Sequence, residues 1–157
     1  MVKSKFQLWV LLILSQSILL LWVLYIVIFS SINYTSKDYL FLFFISIVFI
    51  ILVFGELRTK AISINIYEDI ISSKSFLGFG KKRQFDFKYF DGYKTSILIG
   101  SGFYEYLYLM HKDKKVIKIS QFYHRNYSEL KQIIATKTKN LGDEPFSLLD
   151  EFLEVFF

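Results

Sequence analysis

The 157-residue chain contains no cysteine, one proline, two histidines and seven glycines. Disulfides and thiolate chemistry are therefore excluded, and a zinc site would have to come from two histidines and carboxylates alone. His111 and His124 lie apart, and neither stands in an H-E-x-x-H spacing. Glycine is too sparse for a phosphate-cradling loop before a helix, because Gly78-Phe79-Gly80 falls between two β-type runs. Asp86, Asp91 and Glu105 are not paired as acid and base. The sequence thus holds no nucleophile–base–stabiliser set and no cofactor signature, and it reads as a binding protein rather than an enzyme.

Charge is also missing where it matters most. No charged residue occurs from Phe6 to Phe29, or from Tyr39 to Gly55. The chain is 54% hydrophobic and 20% aromatic with a mean hydropathy of +0.39, too apolar for an ordinary soluble domain of this size. About 20 apolar residues cross the hydrocarbon core as a helix, so residues 1–57 read as a transmembrane helical hairpin. The first run is too long for a signal-peptide core and lacks a small-x-small cleavage site, so it is expected to be retained. Lys3 and Lys5 flank the first span, Arg58 and Lys60 follow the second, and the loop Ser30 to Asp38 offers only Lys37. The positive-inside rule then puts both termini in the cytoplasm, as expected of a multi-pass protein of the cell's inner membrane. Trp9 on one side, and Trp22, Tyr25, Tyr34 and Tyr39 on the other, sit where aromatic belts occur. The polar residues Ser15, Gln16 and Ser17 fall at mid-depth opposite Ser46, which implies hydrogen bonds within the hairpin or from Gln16 to a second protein.

From Ala61 the pattern changes to period two, with Ile62, Ile64 and Ile66 alternating against Ser63, Asn65 and Tyr67. Further β-type runs follow at Ile70 to Leu77, Arg83 to Phe90, Tyr93 to Ile99, Phe103 to Met110 and Lys115 to Ser120, separated by short turns. Six strands with short connections predict an antiparallel meander, since parallel pairs need long crossovers. Asn126 with Glu129 reads as a capping-box variant opening a helix whose apolar face is Tyr127, Leu130, Ile133, Ile134 and Leu141, ending near Asn140 to Gly142. Residues 58–142 therefore read as one β-rich domain with a closing helix. Residues 143–157 form an acidic tail, with Leu148, Leu149, Phe152, Leu153 and Phe156 spaced as a short amphipathic helix expected to dock on the domain or on a partner.

Residues 56–139 hold sixteen Lys and Arg against eight Asp and Glu, a net of +8, while the tail after Asn140 carries five acids and no base. Lys81, Lys82, Arg83 and Lys88 form one basic cluster, and Lys112, Lys114, Lys115 and Lys118 form another. Such clusters suit an anionic headgroup surface or an acidic partner, whereas the plainer reading is that turn lysines keep the domain soluble. Tyr104, Tyr106 and Tyr108 line one face of a strand, as a base-stacking platform would, although such stripes more often pack within a protein and a membrane tether disfavours nucleic acid.

In its order of parts the chain resembles the bacterial PH-like proteins, in which a transmembrane hairpin precedes a small pleckstrin-homology-type β domain closed by one helix. The resemblance is carried by the strand series from Ile62, the Gly78-Phe79-Gly80 turn, the Phe85 to Tyr93 stretch, and Lys118-Ile119-Ser120 leading into Tyr123-His124-Arg125-Asn126-Tyr127 and Glu129-Leu130. It covers roughly residues 60 to 142 and implies a seven-stranded scaffold, of which six strands are clear. It transfers an architecture and no reaction. The basic cluster lies after the second strand and the closing helix lacks tryptophan, both departures from lipid-reading PH domains. The expected role is a membrane-tethered interaction module, an adaptor, accessory subunit or regulator that engages the lipid bilayer and a protein partner and is capable of homo-oligomerising. An anionic-lipid-sensing module is the first alternative, and an immunity or defence accessory protein the second.

Overall fold

The computed structural model describes residues 1–29, 35–99 and 102–147. Two long apolar helices lead. The first, α1, runs Trp9–Phe29; the second, α2, runs Ser36–Ile50 and continues as a π-helical turn over Ile51–Leu57. Each is long and apolar enough to cross a membrane. Their side chains are mostly exposed, with Trp9, Leu12, Leu19, Trp22, Phe41, Phe43 and Phe44 all more than half open. The core helix of a soluble protein would bury these residues.

The strands are β1 (Val2–Lys3), β2 (Ser63–Tyr67), β3 (Ile70–Lys74), β4 (Lys82–Asp86), β5 (Gly92–Ile99), β6 (Phe103–His111), β7 (Lys114–Ser120) and β8 (Asn140–Asp143), with helix α3 (Tyr127–Lys137) before the last. All six expected runs form strands, but they do not make one meander. The chain leaves β4 through a tight 3-10 turn at Phe87–Tyr89 and starts a new sheet. Among the described residues the result is two four-stranded sheets, ordered β1-β2-β3-β4 and β7-β6-β5-β8. The first is antiparallel throughout. The second carries one parallel pair, β5 with β8, against the expectation of a wholly antiparallel arrangement. The long crossover that a parallel pair requires is supplied by β6, β7 and α3.

The core lies between the sheets and under α3. Ile64, Ile66 and Ile71 come from one sheet, Leu107, Leu109, Ile117 and Ile119 from the other, and Leu130 and Ile134 from the helix, all at most 3% exposed. Each such side chain contributes about 1.5–3 kcal/mol by leaving water.

Two sequence expectations about α3 are corrected. The helix stops at Lys137, where the Thr138 hydroxyl donates back to the Ile134 carbonyl and its backbone is extended. Leu141 therefore lies in β8 rather than on the helical face. Tyr93 N–H donates to Lys139 O at 2.8 Å, and a β-carbon on Gly92 would stand 2.3 Å from that same oxygen, so only glycine lets the chain come this close. Asn126 does hold the N-cap position, with Leu130 N–H donating to its carbonyl, but its side chain accepts from no helix N–H. Its amide accepts from Lys5 N–H at 2.8 Å and donates to Lys3 O at 3.1 Å and Glu129 Oε2 at 3.0 Å, which fastens the β1 segment instead.

Candidate functional site

The β region is fixed to both ends of the hairpin. On the incoming side, Val2 and Lys3 pair with Ile66 and Asn65, Ser4 N–H donates to Ile64 O at 2.7 Å, and the Ser4 hydroxyl accepts from Ile64 N–H at 2.9 Å. Gln7 N–H donates to Tyr123 O at 2.9 Å, and Arg125 N–H donates to Lys5 O at 2.7 Å. The segment from β1 to α1 thus belongs to the β domain, across the line drawn at residue 57. On the outgoing side, the Tyr123 hydroxyl donates to the Glu56 carboxylate, which also holds Lys60 at 2.7 Å. Val10, Leu57, Ala61 and Tyr123 close an apolar cluster between the two, with Phe76 and Leu77 of the β3–β4 loop packed against it.

His124 sits at the centre of this mount, 1% exposed, with the Phe6 ring 5.4 Å away. Its Nδ1 lies 2.9 Å from Ser120 O and its Nε2 lies 2.7 Å from Ile62 O. Burial lowers its pKa below the ordinary range, against the pull of the two carbonyls. Sequence reasoning weighed this residue as a metal ligand and counted it in the segment that carries the resemblance, but gave it no structural role. Its role as a cross-link between the hairpin exit and the β7–α3 turn has no local sequence signature.

A basic cleft of 460 Å³ opens beside the mount, between the edge strands β4 and β7. It is lined by Arg58 and Thr59 from the end of α2, Ser75 and Lys81 from the β3–β4 loop, Arg83 from β4, and Lys115 and Lys118 from β7. Among the described residues no carboxylate lines it. Two local irregularities assemble it. Leu109 pairs with Ile117 and Met110 with Lys115, so Val116 is an extra, bulged residue. The bulge returns Lys115 to the face that carries Lys118, although the two are three positions apart. On that face their ammonium groups sit over tyrosines, Lys115 at 4.4 Å from the Tyr108 ring centre and Lys118 at 4.9 Å from that of Tyr106. The second irregularity is the β3–β4 loop, where Phe76, Leu77 and Gly78 all have positive φ. Gly80 then packs so tightly that a β-carbon there would be 2.2 Å from Ser75 Oγ, and the loop folds Lys81 back beside Ser75.

The sequence-predicted basic residues therefore divide. Lys81, Arg83, Lys115 and Lys118 converge, and Arg58, read from the sequence only as a topology marker, joins them. Lys82 points the other way and lines a shallow groove with Lys3, Lys74 and Gln84. Lys88 occupies the turn after β4, its N–H bonded to Asp86 at 2.8 Å. Lys112 forms the β6–β7 turn with its N–H on Asp91 at 2.6 Å, and Lys114 is exposed beside it. Lys115 is partly neutralised by Glu144 at 2.8 Å. Burial pushes the Glu144 carboxyl up, but Lys115 and Lys94 outweigh it and hold the group below its usual pKa.

The tyrosine stripe is covered rather than presented. Tyr106 and Tyr108 are each 2% exposed, with Phe146 stacked 6.0 Å from Tyr106, and Tyr104 packs edge-on to Phe122. The expected tail contacts of Leu149, Phe152, Leu153 and Phe156 lie outside the described residues. Within the hairpin, Ser15, Ser17 and Ser46 donate to carbonyls of their own helices, Leu12, Ile13 and Leu42, at 2.8–2.9 Å. Among the described residues no hydrogen bond joins these four positions across the hairpin, and Gln16 is exposed on the outer side of α1. No family model matches the chain, and neither a curated protein nor a solved structure does.

Proposed function

We propose that this chain is a membrane-tethered, PH-like interaction module that acts as an adaptor, accessory subunit or regulator at the cytoplasmic face of the inner membrane. The observation that carries this reading is the mount. The β domain is joined to both ends of an apolar hairpin by backbone pairing, a carboxylate–phenol bond and a closed apolar cluster, so it is held in one pose instead of trailing on a linker. A fixed pose suits a module that must present one surface at a set height above the bilayer. Pairing of Val2–Lys3 with Asn65–Ile66 brings both hairpin ends to the same side, where Lys3, Lys5, Arg58 and Lys60 also lie, and this supports cytoplasmic termini. The role is one of binding, with no catalytic or cofactor residue assigned. Gln16 is the intramembrane contact for a helix of another polypeptide, an unknown protein partner or a second copy of the chain. Topology tests the reading. A reporter fused after Phe157 should report the cytoplasm and one inserted at Asn33 the far side, with the protein resisting carbonate extraction. Release by carbonate, or both reporters on one side, would end it.

A further inference from the structure

We propose that the cleft bounded by Arg58, Lys81 and Arg83 binds the phosphate of an anionic phospholipid headgroup in the leaflet from which α2 emerges; this rests on the membrane-tethered reading above. Three observations carry it. The first is charge. Five cationic side chains line the cleft with no carboxylate among the described lining residues; Glu144 holds Lys115, and Lys118 lies over the Tyr106 ring, which leaves Arg58, Lys81 and Arg83 to carry the charge of the site. No described carboxylate is ion-paired with Arg58, Lys81 or Arg83, and like charges so gathered repel unless an anion enters between them. Two guanidinium forks offer paired N–H donors suited to phosphate oxygens, and the half-buried Ser75 hydroxyl adds a neutral donor.

The second is depth. Arg58 and Thr59 directly follow Leu57, the last residue of the second apolar helix. A side chain one residue beyond a membrane span lies at headgroup level, where a lipid phosphate is the most abundant anion. The third is Phe79, which is 93% exposed at the tip of the loop that delivers Lys81. That loop leans on the hairpin base, with Leu77 N–H donating to Ala61 O at 2.7 Å and Leu77 packed in the cluster of Val10 and Leu57. An open phenyl ring at this height is costly in water and favoured in the interfacial layer. A free phosphate would make use of the cations but not of Phe79. The ring therefore favours a lipid source over a soluble one.

The test uses the full chain in neutral detergent micelles and counts bound lipid by native mass spectrometry. Phosphatidylglycerol should be retained and phosphatidylcholine lost, and the triple variant Arg58→Gln, Lys81→Gln, Arg83→Gln should bind phosphatidylglycerol about a hundredfold more weakly. Should that variant fail to fold by circular dichroism, Lys81→Gln alone should lower binding about fivefold. Phe79→Ser should weaken phosphatidylglycerol and leave glycerol phosphate unchanged. Equal affinity for glycerol phosphate and phosphatidylglycerol would overturn the lipid source. Equal retention of the two lipids would overturn selectivity for an anionic headgroup, and binding indifferent to the substitutions would overturn the cleft as a phosphate site. A chain that stays in carbonate-washed membranes yet ignores phosphatidylglycerol sinks this inference alone, whereas release by carbonate sinks the tether beneath it.

Discussion

Tyr123, in the turn before α3, donates its hydroxyl hydrogen to Glu56, the penultimate residue of the second apolar helix. The phenol is otherwise buried at 1% exposure, and the carboxylate is shared with Lys60. A hydrogen bond to a charged partner contributes about 1.5–3 kcal/mol. Tyr123→Phe keeps the ring in its apolar cluster and removes this bond. It should lower the melting temperature of the full chain in detergent, and Lys60→Met should weaken the same junction by less. An unchanged melting curve for Tyr123→Phe would mean that the apolar cluster and the His124 cross-link hold the junction without this bond.

A pH dependence follows from His124. Its ring is buried against Phe6 and faces the carbonyls of Ile62 and Ser120, and its pKa is lowered from the ordinary 6.5. The unfolded chain therefore binds the proton more tightly than the folded one. The histidine's contribution is fully present above about pH 6.5, falls as the pH drops toward the lowered folded value, and levels off below it. Stability measured by denaturant between pH 7.5 and 5 should decline, and His124→Gln should flatten that decline. A wild-type profile rising toward acid would show that the two carbonyls outweigh burial.

Gln16 supplies a third expectation. An amide exposed at mid-span is poorly solvated by lipid and is relieved by another helix, with interhelical hydrogen bonds contributing about 0.6 kcal/mol on average. Gln16→Leu should therefore weaken association in bilayers about threefold, read by energy transfer between labelled copies or by recovery of a cross-linked partner. Ser17→Ala should have little effect, because its hydroxyl is already bonded to Ile13 O. If Gln16→Leu leaves both readouts unmoved, the outer face of α1 contacts lipid only.

Gly92 offers a test of the parallel strand pair. A β-carbon there meets Lys139 O at 2.3 Å and Leu141 Cγ at 2.7 Å, so Gly92→Ala must displace β8. Overpacking of this kind costs about 1–3 kcal/mol. Amide exchange at Asn140–Asp143 should accelerate well before the rest of the sheet. Uniform acceleration would instead mark β8 as part of the global unfolding unit.

Much of the framework was legible because it rests on periodicity. The uncharged runs gave both helices, and the alternation of Ile62, Ile64 and Ile66 gave β2, which holds Ile64 and Ile66 and directly follows Ile62, all three of them buried. What escaped depends on contacts between distant segments. Val2 and Lys3 are too few to show a pattern, and they become a strand only because Asn65 and Ile66 offer an edge. Leu141 fits a helical face arithmetically, yet the threonine at 138 and the glycines at 92 and 142 favour another path. For the cleft, the lysine clusters were visible as composition, but a run of neighbouring cations sends alternate side chains to opposite faces of a strand. Lys82 parts from Arg83 for that reason, while the β3–β4 loop brings Lys81 back to the cleft. Lys115 and Lys118 are united only by a bulge that no spacing rule would place at Val116.

The pairing of Val2–Lys3 with Asn65–Ile66 also orders events in time. This seam ties together residues separated by the whole apolar hairpin, so it cannot form until both helices have been made and seated and β2 has emerged behind them. Closing so long a loop carries an entropic cost that local turns avoid, and such contacts form late. The seam is thus a latch on biogenesis. Under the membrane tether proposed above, the edge of β2 stays open until the hairpin is inserted with both ends on one side, and a wrongly threaded chain cannot complete its sheet.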